Sequence, residues 1–138
     1  MQMLARLDDS AGVHELARVL IEPLAAQVRD PDDGIYYLQF LAAVMNVPGQ
    51  PARDMDRRSS QTLDELYRRF EVALASLPED LRELRVGFAV LMVFNALADY
   101  AAKVQANGFD SDYHQLWVGE LVAAYAAVLD FPAGAVPK

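Results

Sequence analysis

Apolar residues recur at about every third or fourth position through almost the whole 138-residue chain, the spacing that lines one face of a helix. Strict alternation bounded by hairpin turns, the mark of strands, is not found in it. The pattern predicts an all-α fold of five helices. The first runs from about Gly12 to Arg29, with Val13, Leu16, Ala17, Leu20, Leu24 and Val28 on one stripe, Ser10 as N-cap, and a bend where Pro23 removes a backbone donor and crowds the carbonyl of Val19. The second covers about Asp32 to Val47, entered through Asp30-Pro31 and stopped by Pro48-Gly49-Gln50-Pro51; its apolar residues go almost all the way round, as for a helix surrounded by others. The third spans roughly Ala52 to Ala75, with Met55, Leu63, Leu66, Tyr67, Phe70 and Leu74 facing inward. Ser76 and Glu79 have the spacing of a capping box, so the fourth is expected to start there and to run to about Ala106 before Asn107-Gly108. The fifth begins near Asp110 or Asp112 and ends at about Asp130, and residues 133–138 should fray.

At 100° per residue the fourth helix has two apolar sides. Val86, Val90, Val93, Leu97 and Val104 form one; Phe88, Leu91 and Met92, with the polar Asn95 and Asp99, form the other. The fifth divides likewise into Val118, Val122, Tyr125 and Leu129 against Trp117, Leu121, Ala124 and Val128. A five-helix domain covers only one side of its peripheral helices, and a second left wet would exceed the apolar patch that soluble monomers tolerate. The expectation is a homodimer in which the last two helices of each subunit form a four-helix bundle. Its interface would hold Phe88, Leu91, Met92, Asn95, Trp117, Leu121, Ala124 and Val128. The alternative is that these residues are core of a monomer.

Composition narrows the chemistry. At this length, with 54% hydrophobic and 23% charged residues, the chain suits one folded domain over 1–138. Zero cysteines exclude disulfides, thiolate metal sites and cysteine nucleophiles, and a net charge of −8 opposes binding to phosphate backbones and anionic membranes. Residues 1–10 have no apolar signal core, and the run between Arg85 and Asp99 is shorter than the roughly 20 residues of a membrane span. A cytoplasmic protein with no membrane association is expected.

Catalytic and metal signatures are missing. His14 and His114 lie on separate helices, no Glu is followed three residues later by His, and Asp110-Ser111-Asp112 lacks the glycine and glutamate of a calcium loop and reads as helix capping. The glycines make no phosphate-cradling cluster. Asp99 with His114 is the weakest of the readings weighed, a small hydrolase or lyase; no enzyme activity, cofactor or metal is expected. The aromatic set Tyr36, Tyr37, Phe40, Tyr67 and Phe70 converges from the second and third helices beside the bent first helix. It is either plain core or the lining of a mostly apolar cavity, and few basic residues at inward positions favour a neutral lipophilic ligand.

The runs Leu16-Ala17-Arg18-Val19-Leu20-Ile21-Glu22-Pro23-Leu24 and Gly34-Ile35-Tyr36-Tyr37-Leu38-Gln39-Phe40-Leu41-Ala42, with the closing run from Phe88 to Asp99, resemble the regulatory domain of TetR/AcrR-family transcriptional repressors. The resemblance covers nearly the entire chain through diffuse motifs. It implies a ligand-sensing and dimerisation domain for a small lipophilic effector, with residues 1–8 as the end of a connecting helix. It also implies DNA binding in the intact protein only through an N-terminal helix-turn-helix domain missing here, which no residues of this chain match. The expected ligand-lining residues are Leu20, Leu24, Tyr37, Phe40, Leu41, Met55, Leu66, Tyr67, Phe70, Val93 and Leu97. The alternative function is a helical protein-interaction module with a solid core and no small-molecule ligand.

Overall fold

The computed structural model describes residues 12–46, 65–66 and 68–131, and the fold is all-α, with no strand among those residues. Helix α1 (Val13–Ala25) buries Leu16, Ala17, Val19, Leu20, Ile21 and Ala25. Its N-cap is Gly12, and the expected cap Ser10 lies outside the described residues. The helix passes through Pro23 and then tightens into a 3-10 turn over Ala26–Arg29, which keeps Val28 in the core. Asp30 reverses the chain: its Oδ1 accepts the backbone N–H groups of Asp32 and Asp33, each at 3.1 Å. Two of the donors orphaned at the next helix start are thereby satisfied.

Helix α2 (Asp33–Met45) buries Gly34, Ile35, Leu38, Leu41 and Ala42. Gly34 is required by its surroundings, because a Cβ there would stand 1.9 Å from the carbonyl oxygen of Gln27. The expectation of a helix covered all round is corrected: Tyr36, Tyr37 and Phe40 lie on an outward side, Tyr36 at 69% and Phe40 at 50% exposure. Helix α3 is described at residues 65–66 and 68–73; Leu66 and Phe70 are buried on it, as is Leu74 just beyond. Met55, Leu63 and Tyr67, expected on its inner face, lie outside the described residues.

Helix α4 (Glu79–Asn107) starts at an extended Pro78 with no side-chain cap, so the capping box read from Ser76 and Glu79 is not formed. Ser76 belongs to the turn that ends α3, and Pro78 stands between it and the first helical residue. Gly108, at φ +87° and ψ 169°, ends α4 in a region open essentially to glycine alone. Asp110 then caps helix α5 (Ser111–Asp130), its Oδ1 accepting the Tyr113 N–H at 3.0 Å.

The main core joins all five helices. Helix α2 packs most extensively on α4, α1 on α5, and α4 returns against α5. Leu16, Ile21, Leu38, Leu66, Phe70, Val93, Leu97, Tyr100, Tyr125 and Leu129 share this cluster. A smaller cluster of Leu41, Val90 and Phe94, with Leu24, Met45 and Val86 around it, lies between α2 and α4. Helix α4 is long and apolar enough to cross a membrane by length and composition, and nearly half of its apolar window is buried within the fold, as in a core helix.

Candidate functional site

On α4 the sequence separates two sides, and the structure keeps them apart. Val90, Val93, Leu97 and Val104 are buried and Val86 is half-buried. On the other side Phe88 is 59% and Leu91 44% exposed, Asn95 and Asp99 are exposed, and Met92 is half-buried. Leu84, 53% exposed, extends this outer stripe. Leu84, Phe88, Leu91 and Asn95 thus follow one another at intervals of four, three and four residues, the spacing of a coiled-coil seam. The sequence reading missed Leu84; continuing the seam one step toward the start of the helix finds it.

An open concavity of about 410 Å³ lies along this stripe, lined by Asp80, Glu83, Leu84, Gly87, Phe88 and Leu91. Gly87 is part of this lining, and a Cβ there would meet nothing within 4 Å. Among the described residues, all of its lining comes from one helix. Small-molecule sites enclose most of their ligand, so a concavity on a single helix is better shaped to receive a side chain from a facing surface. At the far end of the stripe Asn46 donates its side-chain amide to Asn95 Oδ1 at 3.0 Å and to the Ala42 carbonyl at 2.7 Å, while Asn95 donates to the Leu91 carbonyl at 2.7 Å. That network ties the end of α2 to α4 and gives both side-chain NH2 groups an acceptor.

The outer residues expected on α5 are arranged differently. Leu121 is buried inside the chain, Trp117 and Val128 are half-buried against the core, and Ala124 is exposed. Leu121 is therefore corrected from an outer-face anchor to a core residue. Because α5 packs on both α1 and α4, its buried stripe takes in Val118, Leu121, Val122, Tyr125 and Leu129, the spacing of a single wide face.

The expected ligand-lining residues do not meet in one place. Leu20, Leu66, Phe70, Val93 and Leu97 are packed in the main core, with half-buried Leu24 against it, and Leu41 belongs to the smaller cluster. Tyr37 and Phe40 are corrected to the exposed side of α2, away from the convergence with Phe70 expected of them. Phe70 instead meets Tyr125, ring centroids 5.7 Å apart. Met55 and Tyr67 lie outside the described residues.

Asp99 and His114, weighed together as an acid and base, have separate partners. Asp99 is exposed and pairs with Lys103 at 2.9 Å, which raises the lysine pKa. His114 is buried, its Nδ1 2.7 Å from the Tyr100 hydroxyl. Burial and, to a lesser degree, Arg29 lower the histidine pKa, and burial raises that of Tyr100. The neutral phenol and the neutral imidazole share this hydrogen bond, and which of them donates is set by the histidine tautomer. Around this pair Trp117 stacks on Tyr100, Phe109 packs on His114 at 5.2 Å, and Arg29 lies 5.1 Å from the Phe109 ring centre. Among the described residues no group of three or more His, Asp or Glu is placed to hold a metal ion.

No family model, no curated protein and no solved structure matches the chain.

Proposed function

We propose that this chain is a ligand-sensing and dimerisation domain of the kind found in TetR-like transcriptional repressors, pairing through the outer side of α4 and responding to a small lipophilic effector. The observation that carries the reading is the seam of Leu84, Phe88, Leu91 and Asn95. Its three large apolar side chains face solvent on a 29-residue helix whose opposite side is core. A second copy laid across it would bury Phe88 and Leu91 at the centre of the contact, and Gly87 would let the helices approach closely. The likeness of the α1, α2 and α4 sequences to the repressor family's regulatory domain supports the sensing role. Light scattering at micromolar concentration is expected to give twice the mass of the chain, and Leu91→Arg to return it to the single mass with unchanged helicity. A wild-type chain of single mass would overturn the pairing.

A second reading is a helical interaction module without a small-molecule ligand. It is favoured by the packing of Leu66, Phe70, Val93 and Leu97, which are at most 1% exposed within one continuous core. The two readings separate in a thermal-shift screen of lipophilic compounds, since a ligand that binds only the folded state raises the melting temperature. No shift across the library would favour the second.

A further inference from the structure

We propose that the Tyr100–His114 pair is an acid-labile clasp, fastening the turn between α4 and α5 at neutral pH and releasing it when His114 takes up a proton. The inference is independent of the dimer and effector readings and stands on the geometry of this corner. Tyr100, near the end of α4, is 1% exposed and His114, in the first turn of α5, is 7% exposed. Their 2.7 Å hydrogen bond closes the short connection through Gly108, Phe109 and Asp110 from the inside. Phe109 covers the imidazole, and Trp117 covers the phenol with ring centroids 4.2 Å apart.

With the phenol as donor, a proton arriving at Nδ1 turns that atom from acceptor to donor. The phenol then has to rotate to offer its oxygen, and its own hydrogen loses its acceptor at a buried position. The imidazolium also stands near a positive charge already present, since Arg29 of the 3-10 turn acts on both residues of the pair.

The other charged groups of the neighbouring elements are paired, exposed or act on the phenol alone. Asp110 accepts the Tyr113 N–H and its charge reaches Tyr100, while Asp99 and Lys103 pair with each other on the exposed side of α4. Asp112 and Tyr113 of α5 are exposed. On α1, which packs along α5, His14 and Glu15 are exposed and Arg18 pairs with Glu22 at 3.5 Å. The protonated ring therefore gains its compensation from water, which it reaches by parting the corner.

The histidine pKa is lowered from its ordinary 6.5. The clasp is therefore complete above that pH and is lost as the pH falls through the lower folded value. Trp117, the single tryptophan, stacks on the clasp and reports on it. The test follows Trp117 emission wavelength and acrylamide quenching from about pH 8 to about pH 5, with far-UV circular dichroism to separate the corner from global unfolding. The wild-type chain is expected to show a reversible red shift and faster quenching, with a midpoint below 6.5 and helicity retained. His114→Gln should abolish the transition, and Arg29→Gln should move its midpoint upward. A wild-type corner that stays closed over this range would overturn the proposal, as would a transition that persists in His114→Gln or a midpoint indifferent to Arg29→Gln.

Discussion

The rings of Tyr100 and Trp117 stack 4.2 Å apart and within 19° of parallel, although one residue is fully buried and the other half-buried. The contact joins the last turns of α4 to the second turn of α5 and holds the indole against the chain's own core. A double-mutant cycle with Tyr100→Leu and Trp117→Leu, read by urea unfolding followed by circular dichroism, should return a coupling of about 0.5–1.5 kcal/mol, the usual worth of an aromatic pair beyond its buried area. Additive single changes would mean that the stack contributes no more than ordinary packing.

Gly34 and Gly87 should respond oppositely to the same substitution. Gly34→Ala drives a methyl group to 1.9 Å from the Gln27 carbonyl oxygen, a backbone atom that cannot swing aside. A loss of about 3 kcal/mol, at the upper end of overpacking costs, is expected. Gly87→Ala meets nothing within 4 Å inside the chain and removes a flexible residue from a helix interior, so in the Leu91→Arg background, where no second copy is packed against it, the folded chain should gain about 0.5–1 kcal/mol. Thermal melts of the two variants check both signs.

Arg85 is 3% exposed, yet it is a cation. Its guanidinium donates to the Leu129 carbonyl at 3.1 Å and to the Phe131 carbonyl, and it lies 3.5 Å from the centre of the Phe131 ring. Carbonyls at the negative end of α5 thus offset the desolvation of the charge. Arg85→Met should cost about 2–3 kcal/mol, in line with hydrogen bonds to charged groups. Amide exchange near the end of α5 should quicken more than exchange at its capped start.

The carboxylate of Glu65 is held by Arg68 and Arg69, with bonds of 2.8–3.1 Å, and its pKa falls from 4.5 to about 2. Above pH 4.5 the group is ionised whether folded or unfolded, and its contribution to stability is complete. As the pH falls from there toward 2 the unfolded chain takes up the proton first and that contribution is lost. Unfolding midpoints measured across this range should fall less steeply for Glu65→Gln than for the wild type. Equal slopes would show that the two arginines lend the carboxylate no more than screened surface attraction.

What the sequence made legible follows from how wide a buried face each helix has. Helix α4 packs along a limited arc and carries polar groups on its free side, so its division into Val90, Val93 and Leu97 against Phe88, Leu91 and Asn95 could be read directly. Helix α5 touches two neighbours, and an even cut round the wheel split its single broad stripe and misplaced Leu121. On α2 the tyrosines and Phe40 have the hydropathy of core residues but the angular position of a surface. The Ser76–Glu79 spacing was correct for a capping box, yet Pro78 takes the N-cap position and makes Glu79 the first helical residue. The Tyr100–His114 pair and the Arg85 anchor depend on residues 14 and 44 or more positions apart; no local pattern encodes such meetings.

The Arg85 contact has a mechanical consequence. Near the open ends of α4 and α5 it pins the finish of one rod to the first turns of the other, while Tyr100 and His114 pin them again beside Gly108. Two rods fastened at both extremities form a closed frame that resists shear and twist together. A load placed on either rod is therefore shared with the other at both ends.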